Sequence, residues 1–265
     1  MTAGRSANPS RRTAPAAIVS VCMATFNGQR YLAEQVDSIL CQLGPDDELV
    51  VSDDGSTDTT LDVLASYGDR LRLVGQGHAG GVAKNFERAL KAARGDVIVL
   101  SDQDDVWLDG RVALIRERLR DNTLLMMNGT VVDSSLKPLG KDVFEFVGFR
   151  GGFVRTFVRP QYVGCCLAFR RELLDVALPF PASILWHDWY LGLLAELLFE
   201  PTSDPARTIL FRRHADNVSS TGQRSRNSLW VKLAARFWMA RAVAIATSRQ
   251  LRHRIAGSTA GLSRR

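Results

Sequence analysis

The chain has 265 residues, of which 46% are hydrophobic and 23% charged, a composition typical of a globular protein. No uncharged apolar run reaches 18 residues, so the sequence predicts no membrane-spanning helix. The first 16 residues lack the apolar segment of a secretion signal, and their composition predicts a disordered arm. The four cysteines, two of them adjacent, do not form a disulfide framework, which favours a cytoplasmic protein with reduced thiols.

Charge is distributed unevenly along the chain. Residues 221–265 contain nine Arg, one Lys and no Asp or Glu, which gives a charge of +10. Subtracting this from the net +6 leaves −4 for the preceding 220 residues. The mildly acidic body, which contains no known nucleic-acid-binding motif, argues against a nucleic acid partner.

Strands and helices alternate four times within the first hundred residues. Short β-branched runs predict strands, and apolar residues at helical spacing predict the helices between them. The predicted strands are 18–23, 48–52, 71–74 and 97–100, and the predicted helices are 32–43, 59–65 and 85–94. This alternation indicates an α/β fold with a mostly parallel, Rossmann-like sheet flanked by helices.

The pattern changes after residue 107. The predicted helices are 112–119, 171–176, 186–198 and 229–255, and the predicted strands are 124–128, 131–133, 163–169 and 208–211. Residues 141–162 show no clear period, which favours a mobile functional loop. The last helix interleaves large aromatic residues with Lys and Arg and predicts a basic amphipathic C-terminal helical region, residues 223–265.

Three of the predicted strands end in polar clusters, which should converge at one edge of the sheet. The clusters are Thr25 with Asn27, Asp53 with Asp54, and Asp102 with Asp104 and Asp105. Crowded carboxylates favour a divalent cation with oxygen ligands, such as Mg²⁺ or Mn²⁺. Solvated acidic turns that cap the following helices are the simpler interpretation of each cluster alone.

In order and spacing, five segments resemble the motifs of the family 2 glycosyltransferases, which have the GT-A fold. They are residues 19–27, 51–58, 100–107, 186–189 and 213–219. The resemblance covers residues 18–220 and defines a GT-A domain over residues 17–222. The variant at residues 102–107 resembles bacterial transferases of cell-surface polysaccharide synthesis, including L-rhamnosyltransferases.

The resemblance implies a metal-dependent, inverting enzyme that moves a sugar from a UDP- or dTDP-sugar donor, such as dTDP-L-rhamnose, to a glycan or lipid-linked acceptor. Asp188 would be the general base, and His187 stands where the family commonly has Glu. The implied nucleotide contacts are Thr25, Asn27, Asp53, Asp54 and Asp102. The implied metal ligands are Asp102, Asp104 and His214. Residues with an implied acceptor-contacting or supporting role are His187, Asp105, Trp107 and Arg213.

Two other functions stay open from the residues alone. A Mg²⁺-dependent phosphohydrolase could use the same Asp cluster, although the first strand is followed by Thr25 and Asn27 rather than by a nucleophilic Asp. A non-catalytic sugar-nucleotide-binding protein would need no base, and Asp188 counts mildly against it.

The helix at residues 229–255 is compatible with three arrangements. It could bind an anionic membrane surface at the inner face of the cell membrane, pack on the domain, or form a homo-oligomer.

Overall fold

The computed structural model describes residues 17–184, 186–215, 217 and 228–262. The predicted disordered arm, residues 1–16, lies outside the described residues, as does most of the segment between Arg213 and the last helix.

The first half of the structure repeats a strand–helix unit. It contains β1 (Val19–Thr25), α1 (Leu32–Leu40), β2 (Glu48–Asp53), α2 (Thr60–Ser66), β3 (Arg72–Gly75), α3 (Val82–Ala92) and β4 (Val97–Ser101). Strands β1 and β4 are buried almost throughout, as their continuous apolar sequences predict. The strand order β3-β2-β1-β4 is parallel at every pairing, which confirms the expected arrangement for this half.

The second half completes the sheet and adds most of the helices. It contains β5 (Val106–Trp107), α4 (Arg111–Arg118), β6 (Leu124–Val132), β7 (Pro138–Asp142), α5 (Val143–Val147), α6 (Phe153–Val158), β8 (Leu167–Arg170), α7 (Arg171–Ala177), α8 (His187–Leu198), β9 (Pro201–Arg212) and α9 (Leu229–Leu262).

The sheet of the described residues is mixed. Its order is β3-β2-β1-β4-β8-β6-β9-β5, with β7 paired to β6 outside this path. Strand β8 is antiparallel to both β4 and β6, whereas β6 and β9 are parallel. The α/β class is confirmed, but the parallel pattern stops at β4, because β8, which follows the 3₁₀ turn Gly164–Cys166, pairs antiparallel with it.

Residues 141–162, predicted as a mobile loop, form two short helices instead. Helix α5 begins with a capping box, in which the Asp142 carboxylate accepts from the Glu145 N–H and the Glu145 side chain accepts from the Asp142 N–H. Helix α6 packs on α8, and its Thr156 carbonyl accepts a 2.7 Å hydrogen bond from the Trp189 indole. The contact between α6 and α8 is with residues remote in the sequence, so a periodicity search within the segment misses it.

The long C-terminal helix α9 packs on α7 and α8 through one face of small and apolar residues. Met239, Ala242, Val243 and Ala246 on that face are buried. The aromatic residues lie on the other side, and Trp230 is 81% exposed and Phe237 64% exposed. The helix therefore packs on the domain, as one of the alternatives held, but its aromatic residues take no part in that packing. Among the described helices, none combines the length and hydropathy needed to cross a bilayer.

Candidate active site

The ends of β1, β2 and β4 meet at one edge of the sheet, which is where the polar clusters lie. Thr25 pairs with Asp53 at the last position of the β1–β2 ladder. Met23 pairs with Ser101 at the end of the β1–β4 ladder. The three segments that follow these strands therefore line one crevice at the carboxyl edge, as expected for a ligand site in a parallel sheet.

The loops after β1 and β2 are joined by hydrogen bonds. The Asn27 N–H donates to the Ser56 hydroxyl over 2.8 Å, and the Asn27 side-chain oxygen accepts from the Thr57 N–H over 2.8 Å. Gly28 N–H donates to the Thr60 hydroxyl, also over 2.8 Å. Asn27 has a positive φ of 48°, a conformation that Asn tolerates better than most side chains. Asn27 thus stabilises the loop and is itself exposed to solvent.

Asp53 is fully buried, and both carboxylate oxygens are occupied by partners within the protein. One oxygen accepts from the Gly55 and Ser56 N–H groups, at 3.0 and 2.8 Å. The other accepts from the Thr25 and Ser56 hydroxyls, at 2.7 and 2.6 Å. Neither Asp53 nor the equally buried Thr25 presents a free surface to a nucleotide. Thr25 and Asp53 therefore stabilise the loop in the structure, whereas the sequence led us to expect that they contact the nucleotide directly.

Asp54 holds the next glycine-rich segment against the crevice. Its carboxylate accepts from the N–H groups of Ala79, Gly80 and Gly81, which precede α3, and it lies 3.4 Å from the exposed His78 ring. The Asp54 side chain is 12% exposed, so unlike Asp53 it keeps a small accessible surface.

Phe26 and Gln103 lock the β1 loop to the loop after β4. The Phe26 N–H donates to the Gln103 side-chain oxygen, and the Gln103 amide donates to the Phe26 carbonyl, both over 2.9 Å. The Gln103 side chain fills the space beside Gly28, where an added Cβ would lie 2.2 Å from the Gln103 oxygen. The Phe26 side chain is 49% exposed at this edge, and sequence analysis did not identify it.

A cluster of ligand-type atoms lies at the end of β4. One ligand atom each from Asp102, Asp105 and Cys165 lie within 4.8 Å of one another. Burial, with the nearby Asp104, Asp105 and Asp188 carboxylates, raises the pKa of Asp102 well above its usual range. Burial and Asp104 raise the pKa of Asp105 to about 8. The negative charges of these carboxylates are therefore poorly compensated by the protein itself.

Asp104 contacts the segment after β9. One carboxylate oxygen lies 2.9 Å from the His214 Nε2, and it accepts from the Asn217 side-chain amide over 2.9 Å. Asn217 also binds the His214 N–H through its side-chain oxygen, at 2.7 Å. Of the three predicted metal ligands, the structure joins Asp104 to His214, whereas Asp102 lies in the neighbouring cluster with Asp105. Asn217 is a further residue of the site that sequence analysis did not assign.

Arg212 fixes the loop that carries these carboxylates. Its guanidinium donates to the carbonyls of Asp104 and Ser134 at 2.7 and 2.9 Å, and it pairs with Glu34. It lies 4.3 Å from the Tyr31 ring centre, and the Arg212 N–H donates to the Asp105 carboxylate over 2.9 Å. The side chain is buried and fully engaged, so its charge supports the loop and is not presented to a diphosphate.

The donor set suits a hard divalent cation. Asp105 Oδ2 is buried with no hydrogen-bond partner, and the raised pKa of Asp102 reports repulsion among carboxylates that a cation would relieve. Burial and the neighbouring Cys166 hold the pKa of the Cys165 thiol well above its usual value, so it stays protonated and is a poor ligand for such an ion. The oxygen atoms of the carboxylates are thus the ligands that Mg²⁺ or Mn²⁺ would use.

Asp188 lies at the start of α8, close enough to Asp102 to raise that residue's pKa. Its Oδ1 accepts from the Trp189 N–H over 2.8 Å, and its side chain is half-buried. The preceding His187 is buried against Phe86, with ring centres 4.3 Å apart, and its Nε2 has no partner. Burial lowers the pKa of His187, so its ring is neutral at pH 7. The two residues thus place a half-buried carboxylate next to a buried, uncharged polar ring.

Trp107 and Arg213, for which the resemblance implied an acceptor-contacting or supporting role, pack against other side chains. Trp107 is buried in strand β5, its N–H donates to the Ser38 hydroxyl over 3.0 Å, and the Arg111 guanidinium lies 4.8 Å from its ring. Arg213 lies over the Phe146 and Phe211 rings, at 5.8 and 5.6 Å. Trp107 is therefore a core residue that supports the sheet edge, because β5 pairs with β9 there.

Comparison with known proteins gives a family match over more than half of the chain. The family model described as "Glycosyl transferase family 2" matches residues 20–177. A dTDP-rhamnosyl transferase of Shigella flexneri is 29% identical over 212 residues, covering 74% of this chain and 72% of the relative. An uncharacterized glycosyltransferase of a Nostoc species is 26% identical over 182 residues, which cover 64% of this chain and 56% of the relative's length.

Two solved structures share the fold. The S. aureus TarS fragment 1-349 in complex with UDP-GlcNAc has a TM-score of 0.64 at 20% identity and covers 86% of this chain and 66% of that one. A mannosyltransferase from Pyrobaculum calidifontis, in complex with GDP-Man and Mn²⁺, has a TM-score of 0.58 at 20% identity, with coverages of 93% and 80%.

Proposed function

Since the chain belongs to glycosyl transferase family 2 and is a glycosyltransferase, we propose that it moves a sugar from a nucleoside-diphosphate donor to a hydroxyl group of a cell-surface glycan or a lipid-linked acceptor. The observation that carries this proposal is the convergence of β1, β2 and β4 on one crevice that also holds Asp188. These observations support a common substrate for the loops after β1 and β2, the carboxylate cluster and the candidate base.

The donor is a UDP- or dTDP-sugar, with dTDP-L-rhamnose as the first candidate. The Shigella relative, a dTDP-rhamnosyl transferase, supports the dTDP donor. Within the crevice, the exposed Phe26 ring is suited to stack on the base. Asn27 and Asp54 lie beside it as the polar residues available to the base and ribose. Thr25 and Asp53 contribute indirectly, by holding the loop in shape.

Asp102 and Asp104, with His214, are the proposed ligands of a Mn²⁺ or Mg²⁺ ion. Two observations support this set: Asp104 contacts His214, and burial together with the charge of Asp104 raises the pKa of Asp102. Asp105 adds a nearby oxygen that has no hydrogen-bond partner. When bound, the ion would stabilise the charge that develops on the departing diphosphate. Arg212 would keep the ligand loop in place, because it binds the Asp104 carbonyl and the Asp105 carboxylate.

Asp188 is the proposed general base. It would take the proton of the acceptor hydroxyl as that oxygen attacks the anomeric carbon and the nucleoside diphosphate leaves. One base and one displacement invert the configuration at that carbon. The neutral His187 offers a hydrogen-bonding nitrogen without charge beside the reacting centre. A lipid-linked acceptor would place the protein in the cytoplasm, at the inner face of the cell membrane.

Thermal unfolding with a panel of nucleoside diphosphates and nucleotide sugars, each with and without Mn²⁺ or Mg²⁺, tests this function. A ligand that binds only the folded state raises Tm in proportion to its affinity, so the cognate donor should give the largest metal-dependent shift. Transfer to an acceptor glycan is then measured with that donor. Hydrolysis of simple phosphate esters would favour a phosphohydrolase instead. Tight nucleotide binding without turnover over a broad acceptor panel would indicate a non-catalytic binder.

A further inference from the structure

The surface formed by α6 and α9 exposes large apolar side chains on two elements that are remote in the sequence. On α9 these include Trp230, Leu233 and Phe237, and on α6 they are Val154 and Val158. Val154 is 73% exposed, although it lies on a helix packed against the domain. In a soluble monomer, exposed apolar residues concentrated on neighbouring elements mark an interaction surface rather than scattered surface residues.

A hydrogen bond joins the two helices. The Arg236 guanidinium of α9 donates to the Val158 carbonyl at the end of α6. The same guanidinium lies 6.0 Å from the Trp189 ring centre, and the Trp189 indole binds the Thr156 carbonyl of α6. Trp189 follows Asp188 in α8, so the paired helices are anchored next to the proposed base.

The two sequence segments that form this surface carry only positive charges, although the Glu196 carboxylate of α8 accepts from the Gly152 N–H at the start of α6. Residues 146–171 contain no Asp or Glu, and neither do residues 217–265. Arg155 and Arg159 are exposed on α6, and Arg241 is exposed on the same side of α9 as Phe237. The position of Arg241, four residues after Phe237, puts its charge one helical turn from that ring. Basic side chains interleaved with aromatic ones are complementary to anionic lipid headgroups over an acyl interior.

We propose that α6 and α9 together form a docking surface for an anionic lipid bilayer. The aromatic and aliphatic side chains would enter the headgroup–acyl boundary, and the arginines would lie among the lipid phosphates. The buried face of α9, with Met239, Ala242 and Val243, stays on the domain and needs no rearrangement. Because Trp186 is exposed immediately before His187 and Asp188, bilayer contact would bring a membrane-bound acceptor hydroxyl to the open side of the crevice.

Vesicle flotation tests the surface independently of catalysis. The full chain is mixed with vesicles of phosphatidylcholine alone or with about a third phosphatidylglycerol, at low salt. We expect the protein to float with the anionic vesicles only. Each basic residue close to such a surface contributes roughly fivefold in partitioning, so the double variant R155Q/R159Q should lose roughly 25-fold. The matched variant R120Q/K141Q removes two exposed charges outside the surface and should lose far less.

A second pair of variants separates the apolar part of the surface. Phe237→Ser should weaken flotation strongly, whereas Leu139→Ser, at another exposed apolar residue on β7, should not. Wild-type protein that stays unbound overturns the proposal, and so does equal flotation of R155Q/R159Q and its control. Analytical ultracentrifugation that finds a dimer dissociated by Phe237→Ser would instead make this face an interface between two copies of the chain. Nucleotide-induced Tm shifts, measured on the same variants, keep a failure of vesicle binding distinct from a failure of the proposed transferase.

Discussion

Replacement of Asp53 by Asn distinguishes a loop-shaping carboxylate from one that binds the nucleotide. Asp53 accepts four hydrogen bonds, two from N–H groups and two from hydroxyls. Asn can keep its oxygen towards the Gly55 and Ser56 N–H groups, and the two hydroxyls can rotate to accept from the new amide. The variant loses the extra strength that the negative charge gives to the four hydrogen bonds. This loss of stability is partly offset, because the variant no longer buries a charge.

The expected cost is about 2 kcal/mol of unfolding free energy, because charged hydrogen bonds exceed neutral ones by about 1 kcal/mol each before that offset. For a domain of this size, such a loss lowers Tm by about 4–8 °C. Asp53→Asn is compared with the control Asp121→Asn, an exposed carboxylate, by circular dichroism of the ligand-free proteins. Nucleotide Kd is then measured by calorimetry and should rise less than about tenfold. An unchanged Tm together with a Kd raised a hundredfold or more would show that Asp53 contacts the nucleotide directly, and our assignment would be wrong.

Three further predictions address the rest of the site. Asp188→Asn should lower kcat by about 10²–10⁴ with nucleotide Kd unchanged, and near wild-type turnover would mean that another group takes the proton. Asp104→Asn should remove the Mn²⁺-dependent part of the nucleotide-induced Tm shift, an assignment that full activity in EDTA would contradict. Phe26→Ala should raise nucleotide Kd about tenfold and leave the Tm of the ligand-free protein unchanged, because base stacking on an exposed ring contributes about 1–3 kcal/mol. Leu139→Ala is the control, and an equal nucleotide Kd for the two variants would exclude stacking.

Local patterns were sufficient to predict the half of the fold that contains the crevice. Short, mostly apolar runs placed β1 and β4, and the polar residues after each strand identified the edge at which the loops meet. The same patterns could have revealed α5, because Asp142 and Glu145 have the spacing of a capping box. The antiparallel entry of β8 depends on pairing with β4 and β6, and no local residue pattern encodes that choice.

The roles of individual site residues were harder to predict than their location. Asp53 and Asp54 are adjacent and chemically identical, yet one is sealed by four donors and the other reaches the surface. Arg212 and Arg213 are likewise adjacent, yet Arg212 is buried through contacts with Glu34 and Ser134, whereas Arg213 lies over the Phe146 and Phe211 rings. Partner number and burial are properties of the folded chain, so a sequence motif alone does not separate members of such pairs.

The lock between Phe26 and Gln103 leaves a signature that should be readable in homologous sequences. Gln103 occupies the volume beside Gly28, because an added Cβ there would lie 2.2 Å from its side-chain oxygen and 2.5 Å from the carbon that bears it. A side chain at position 28 would therefore displace the Gln103 amide from this space. Relatives that replace Gly28 should have lost the long amide at position 103, and with it the double hydrogen bond that joins the loop after β1 to the loop after β4.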